Sequence, residues 1–138
     1  ALTAAEVENL RAYLTRGGLL VGLPAAGFKP FDTAFRRELR RVLPDSEWVA
    51  IPPSHSLFSG GWNAIEQVAY TPRALRDDPS LMTPQFEALF VQQRPVVLVT
   101  PYDVLSGANR EPNAYSKGLV ADDALRVTLN LITYALSH

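Results

Sequence analysis

Cysteine is absent from the chain. No disulfide framework, thiolate zinc site, iron–sulfur cluster or cysteine nucleophile can be built from it. The redox compartment stays open, because a domain of this size holds a core without cross-links. An excess of either charge is lacking too: 13 basic residues stand against 14 acidic ones, for a net charge of −1. Nucleic-acid-binding domains are distinctly basic, so nucleic acid is not the expected partner. No apolar run approaches the ~20 residues of a membrane span. The residues after Ala1 read as a polar helix and not as a signal peptide. Histidine occurs only at His55 and His138, without the spacing of a helical metal motif. The serine elbow Gly-x-Ser-x-Gly is missing. So is a glycine-rich phosphate loop, since Gly17-Gly18 precedes a strand and not a helix N-terminus. No cofactor, metal ligand or catalytic residue is therefore assigned.

What is present suits one α/β domain over residues 1–138, with 47% hydrophobic and 20% charged residues. Thr3-Ala4-Ala5-Glu6 has the form of a capping box and predicts a helix start. Val7, Leu10 and Leu14 follow at helical spacing, and Gly17-Gly18 stops the helix. Leu19 to Leu23 reads as a buried parallel strand. A second helix is expected from Asp32, its N-cap, to Leu43, with Pro44 as the stop. Its inner face would carry Phe31, Phe35, Leu39 and Val42. Its outer face would carry Arg36, Arg37, Arg40 and Arg41, with pairs Asp32–Arg36 and Glu38–Arg41. Trp48 to Ile51 reads as a strand closed by Pro52-Pro53. This helix–strand alternation predicts a three-layer α/β fold with a mainly parallel sheet.

Further on, Ile65 to Tyr70 suggests a strand and Thr71 to Pro84 a loop. Phe86–Val91 and Val96–Thr100 suit a hairpin in which Pro95 marks an edge. Val96 to Val99 has the composition of a central strand. A long loop from Pro101 to Ala121 leads to a last helix ending at Ser137. Leu125, Leu129, Ile132 and Leu136 share one of its faces, and Val127, Leu131 and Tyr134 widen it. Such a helix is expected to pack on more than one side.

Four stretches in order carry a resemblance: Glu8–Val21, Phe35–Phe58, Val96–Asp103 and Asn130–His138. Their helix–Gly-Gly–strand unit, helix–Pro–strand–His turn, strand with polar loop and closing helix resemble a bacterial family of uncharacterised domains. That family is grouped with the class I glutamine amidotransferase-like, trehalose-utilisation-type proteins. The resemblance implies a flavodoxin-like, amidotransferase-like fold, no agreed reaction and an envelope location for many members. It also implies a strand before the first helix, which this chain lacks. The chain is thus either a fragment or a shortened member whose first strand is missing or supplied by a partner. Gly22 and Leu23 stand where the family often has two acidic residues, and His55-Ser56 stands where it has His-Pro.

Several residues admit two readings. His55 is either a turn residue bonded to nearby backbone or a ligand grouped with Asp103, Asp122 or Asp123. Thr100, Tyr102 and Asp103 follow a central strand, where open α/β sheets bind ligands. Asp103 can equally cap the Pro101–Ser106 turn. The arginine-rich face is either solvated or an anion patch. Trp62, in Ser59-Gly60-Gly61-Trp62-Asn63, either contacts a partner or folds back on the core. The resulting expectation is a non-catalytic binding module of a bacterial envelope protein, with ligand-binding candidates His55, Thr100, Tyr102 and Asp103. A protein partner or a second copy would join through an exposed sheet edge. The alternative is a metal-assisted or carboxylate-based hydrolase using His55 and Asp103.

Overall fold

The capping box forms as its residues require: Glu6 N–H donates to Thr3 Oγ1 at 3.2 Å and Thr3 N–H to Glu6 Oε1 at 3.3 Å. It opens α1 (Ala4–Thr15) in a computed structural model that describes residues 1–59, 64–104 and 116–137. Gly17 takes φ +114°, a conformation open to glycine, and turns the chain into β1 (Leu20–Gly22). A 3-10 turn (Ala25–Gly27) leads to α2 (Lys29–Val42), which carries Pro30 in its first turn. Phe28, not Asp32, occupies the N-cap position. Asp32 sits one turn inside, where its charge suits the helix dipole and its carboxylate pairs with Arg36 at 3.0 Å.

β2 (Val49–Ala50) follows, then α3 (Ser56–Ser59). Residues 65–70 form no strand: they contribute one bridge, Tyr70 to Leu119. The stretch read as loop contains α4 (Pro72–Asp77), started by Thr71, whose hydroxyl accepts from Ala74 N–H. β3 (Glu87–Val91) and β4 (Arg94–Val99) make the hairpin, and α5 (Ala121–Ser137) closes the described chain.

The sheet order is β1-β4-β3-β2. β1 pairs parallel with β4, with Val21 beside Leu98. β3 pairs antiparallel with both β4 and β2. The expected mainly parallel sheet is thus corrected to a mixed one, with two of three pairings antiparallel. The reason is local: only Gln92 and Gln93 join β3 to β4, and a two-residue link can join only antiparallel strands. Pro95 lies in β4 beside a bulge: Leu89 faces Val97 and Phe90 faces Pro95, so Val96 has no partner in β3. β1 pairs only with Val97 to Val99, so Pro95 lies beyond its reach, where a missing N–H interrupts no β1 bond.

Apolar residues cover both faces of the sheet. Val7 and Leu14 of α1, with Leu39 and Val42 of α2, cluster with Leu89, Val96 and Val97. Leu57 and Phe58 of α3, with Val127 and Leu131 of α5, cluster with Ala88 and Leu98. Successive residues Ala88 and Leu89 fall in different clusters, as the two-residue period of a strand demands. Val96 joins Val97 on the α1–α2 side because the bulge breaks that alternation.

Candidate functional site

At the C-terminal end of β4 the chain places Thr100, Tyr102 and Asp103 in a bonded turn. Tyr102 N–H donates to Thr100 Oγ1 at 3.3 Å, and Thr100 is buried. Asp103 is only 1% exposed. Its Oδ2 accepts from Ser116 Oγ at 2.7 Å, its N–H donates to Lys117 C=O, and its C=O accepts from Leu119 N–H. Gly118 lies against this residue so closely that a Cβ there would enter the Asp103 carbonyl. Asp103 therefore clasps the segment 116–119 to the sheet. Tyr102 stacks edge-on to Tyr70 with ring centroids 5.0 Å apart. Burial pushes the Tyr102 hydroxyl pKa up, helped by the charges of Asp78 and Asp77. Burial pushes Tyr70 up further, and its hydroxyl donates to Thr83 C=O at 2.8 Å.

His55 belongs to another place. Its Nδ1 accepts from Leu57 N–H at 3.1 Å, and its ring lies 5.9 Å from that of Tyr134. Helix α5 serves as a ruler between the two groups. Tyr134 lies beside His55, Asn130 Nδ2 donates to Leu57 C=O, and Arg126 donates to Ala64 C=O. Asp123 accepts from Ala69 N–H, and Val120 N–H donates to Ala69 C=O just before the helix begins. Residues 55–59 and 64–69 thus follow α5 in the opposite direction, and Asp103 is bonded ahead of its first turn through Leu119. At 1.5 Å per residue, the two side chains lie near points on this helix roughly 20 Å apart. The structure brings Thr100, Tyr102 and Asp103 together and leaves His55 at the far end. Asp122 and Asp123 sit in the first turn of α5, also far from His55. Among the described residues no group of three or more His, Asp or Glu side chains could hold a metal ion. Trp62 and His138 lie outside the described residues.

Arg94 lines a small cavity of about 170 Å³ with Tyr13 and Tyr134. It is no anion site on this geometry, because its Nη atoms donate to the Gly18 and Leu14 carbonyls at 3.2 and 3.0 Å. On the arginine-rich face, Arg36 and Arg41 are held in ion pairs. Arg36 pairs with Asp32 and Glu87 and lies 5.1 Å from the Trp48 ring centre. Arg41 pairs with Glu38, and this pairing is the first cause holding the Glu38 carboxyl below its ordinary pKa.

The remaining feature is a groove the sequence reading missed. It has a volume of about 430 Å³ between α1 and α2, with Leu2 and Leu10 on one wall and Phe31 and Phe35 on the other. Its lining includes Leu20 of β1, an outer strand of the sheet. The Phe35 ring lies against Gly22, where a Cβ would approach it to 2.7 Å. Phe31 stacks on Phe35 at 5.6 Å and is 39% exposed, not turned inward as its helical spacing suggested. Gly22 C=O accepts from Thr100 N–H, so in a parallel pair the Val21 N–H and C=O point to the outer edge. Tyr13 Oη donates to Leu19 C=O at 3.3 Å along that same edge. The sequence offered Phe31 and Phe35 only as residues of an inner helix face.

No helix among the described residues is long and apolar enough to cross a membrane. A search of curated proteins finds no match. The uncharacterised-domain family expected from the sequence is shown, while the amidotransferase-like relation is not. Over residues 1–136 the chain matches, and so belongs to, the family described as a domain of unknown function, DUF4159.

Proposed function

We propose that this domain is a non-catalytic protein-interaction module that takes an extended segment of a partner along β1. The observation that carries it is the outer edge of β1 beside the apolar α1–α2 groove. A strand added there would bond to the outward N–H and C=O of Val21. Its alternate side chains would reach Leu20, Phe31 and Phe35, the pairing of backbone affinity with side-chain pockets that strand addition uses. β2, the other outer strand, is two residues long and followed by Pro52-Pro53, which blunts it as an acceptor. The separation of His55 from Asp103 removes the support for a hydrolase built on both. The parallel β1–β4 pair, with α1 and α2 packed on one face of the sheet and α5 on the other, supports the amidotransferase-like relation implied by the sequence. An envelope setting rests on that resemblance alone.

The test is selection of displayed peptides on the purified domain. The reading expects enriched sequences with apolar residues at every second position. Their binding should be lost in Phe31→Glu, which charges the groove, and in Val21→Pro, which removes an edge N–H where proline is tolerated. Selection of no such sequences, or equal binding to both variants, overturns it.

A further inference from the structure

The lead into β1 is closed on both sides by side chains. Gly22 C=O accepts from Thr100 N–H, so the alternate residues Val21 and Leu19 present their backbone groups away from β4. Leu19 C=O accepts from the Tyr13 hydroxyl at 3.3 Å. Tyr13 is fixed at its backbone as well, because its C=O accepts from Gly18 N–H at 3.0 Å in the turn that ends α1. That turn needs Gly17, whose φ is +114°. It also needs Gly18, where a Cβ would enter the Tyr13 ring. On the inner side the ladder stops at the same level. The β1–β4 register begins at Leu20 and Val97, and Gly18 C=O accepts from the Arg94 side chain at 3.2 Å.

We propose that Tyr13 is the stop of the outer edge: its hydroxyl holds the Leu19 carbonyl and so limits how far a partner's strand pairs along β1. The inference rests on strand addition at β1 and names what sets its extent. An incoming strand offers an N–H to each outward carbonyl that it passes. At Val21 that N–H finds its acceptor. One alternate residue further, at Leu19, the Tyr13 hydroxyl occupies the side from which the N–H would come. Displacing it exchanges one hydrogen bond for another, so the partner gains nothing by pairing further, and a strand N–H held there without an acceptor costs its full desolvation. The segment that the domain accepts is thus bounded on this side by a tyrosine of α1. The same contact shortens the edge open to a second copy, a protection that edge strands need. It also gives the two glycines separate tasks: Gly17 turns the chain, and Gly18 leaves room for the ring.

The test compares wild type with Tyr13→Phe, which frees the Leu19 carbonyl and leaves a ring that swings aside without losing a bond. In the free protein the Leu19 carbonyl carbon resonance should move in the variant while the circular dichroism spectrum is kept. The binding probe is the most enriched peptide of the selection described above, lengthened by two threonines at each end. By isothermal titration the Phe variant should bind it about two- to tenfold tighter than wild type, the worth of one neutral hydrogen bond. Removing the threonines at one end, the end that reaches Leu19, should abolish the gain; removing them at the other should not. Binding that Val21→Pro abolishes but Tyr13→Phe leaves unchanged overturns the role of Tyr13 and leaves strand addition standing. Weaker binding by the Phe variant overturns it too and makes the hydroxyl a contact of the partner. An unmoved Leu19 resonance removes the bond on which the proposal is built. Binding insensitive to Val21→Pro, or no enriched peptide, overturns both readings, because no strand then joins this edge for Tyr13 to stop.

Discussion

The hairpin turn between β3 and β4 offers the most direct check on the sheet. Gln92 and Gln93 have φ of +50° and +66°, the left-handed region, with Val91 paired to Arg94 on either side. Two consecutive residues at positive φ define the tight hairpin turn whose preferred sequence is Asn-Gly. A non-glycine residue held in that region costs about 1–2 kcal/mol. Glycine removes that strain and restores about 0.5–1 kcal/mol of unfolded-state freedom. Gln93→Gly is therefore expected to stabilise the domain by roughly 0.5–1 kcal/mol. For a chain of this length that raises Tm by about 2–4 °C. Gln93→Val, a branched side chain at the same φ, should lower stability by about 1 kcal/mol or more. Thermal melts followed by circular dichroism, with urea midpoints at unchanged slope, measure both. A Gly variant no more stable than wild type, together with a tolerated Val variant, would refute the turn geometry. The antiparallel β3–β4 pairing built on it would lose its local explanation.

Three other outcomes follow from named contacts. Arg94→Met removes two charged hydrogen bonds to the Leu14 and Gly18 carbonyls and should cost about 2–3 kcal/mol in urea unfolding. Gly118→Ala forces a methyl group into the Asp103 carbonyl; it should destabilise by about 1–3 kcal/mol, whereas Lys117→Met should cost far less. Asp77, at an exposed site, has its pKa held below 3.8, first by its hydrogen bond to Lys117. A carboxyl depressed in the folded state contributes stability that is present above the unfolded pKa and lost as pH falls through the folded one. Tm should therefore fall between pH 6 and pH 3 by less in Asp77→Asn than in wild type, and an equal fall in both would assign the acid sensitivity elsewhere.

The readable features were those written within a few residues. Thr3 and Glu6 announced α1, Gly17 announced its end, and the pairs Asp32–Arg36 and Glu38–Arg41 occur as their spacing indicated. β4 is interior, as its run of valines suggested. The start of α2 was misplaced because an acidic residue serves both as an N-cap and within the first turn, and the sequence does not separate the two. The pairing of β2 with β3 joins residues nearly forty positions apart, which no local pattern encodes. The bulge at Val96 exists only once two strands are paired. For the candidate site, Thr100, Tyr102 and Asp103 were legible as a strand end. That His55 stands one helix length away was not, because the contacts of Leu57 and Ala64 with α5 are long-range bonds.

The amphipathic pattern of α5 carries the same lesson in physical form. Periodicity reports that a helix is apolar over much of its circumference, but burial needs a partner for each face. The sheet side takes Val127, Leu131 and Tyr134; on the opposite side Leu125, Ile132 and Leu136 are exposed among the described residues. The groove between α1 and α2 contains Leu20 and Leu39, whose cluster lies on the other side of the sheet from that of α5. Exposed aliphatic and aromatic side chains stand on α5 and beside the α1–α2 groove, and also at Val49, Met82 and Val120. A ligand-binding enzyme of this architecture would concentrate its distinctive side chains where the strands end. Among the described residues that end carries hydrogen bonds linking Asp103, Ser116, Thr71 and Gly118. The outer edge of β1 and the groove beside it are the observations that support the proposed association with a partner chain.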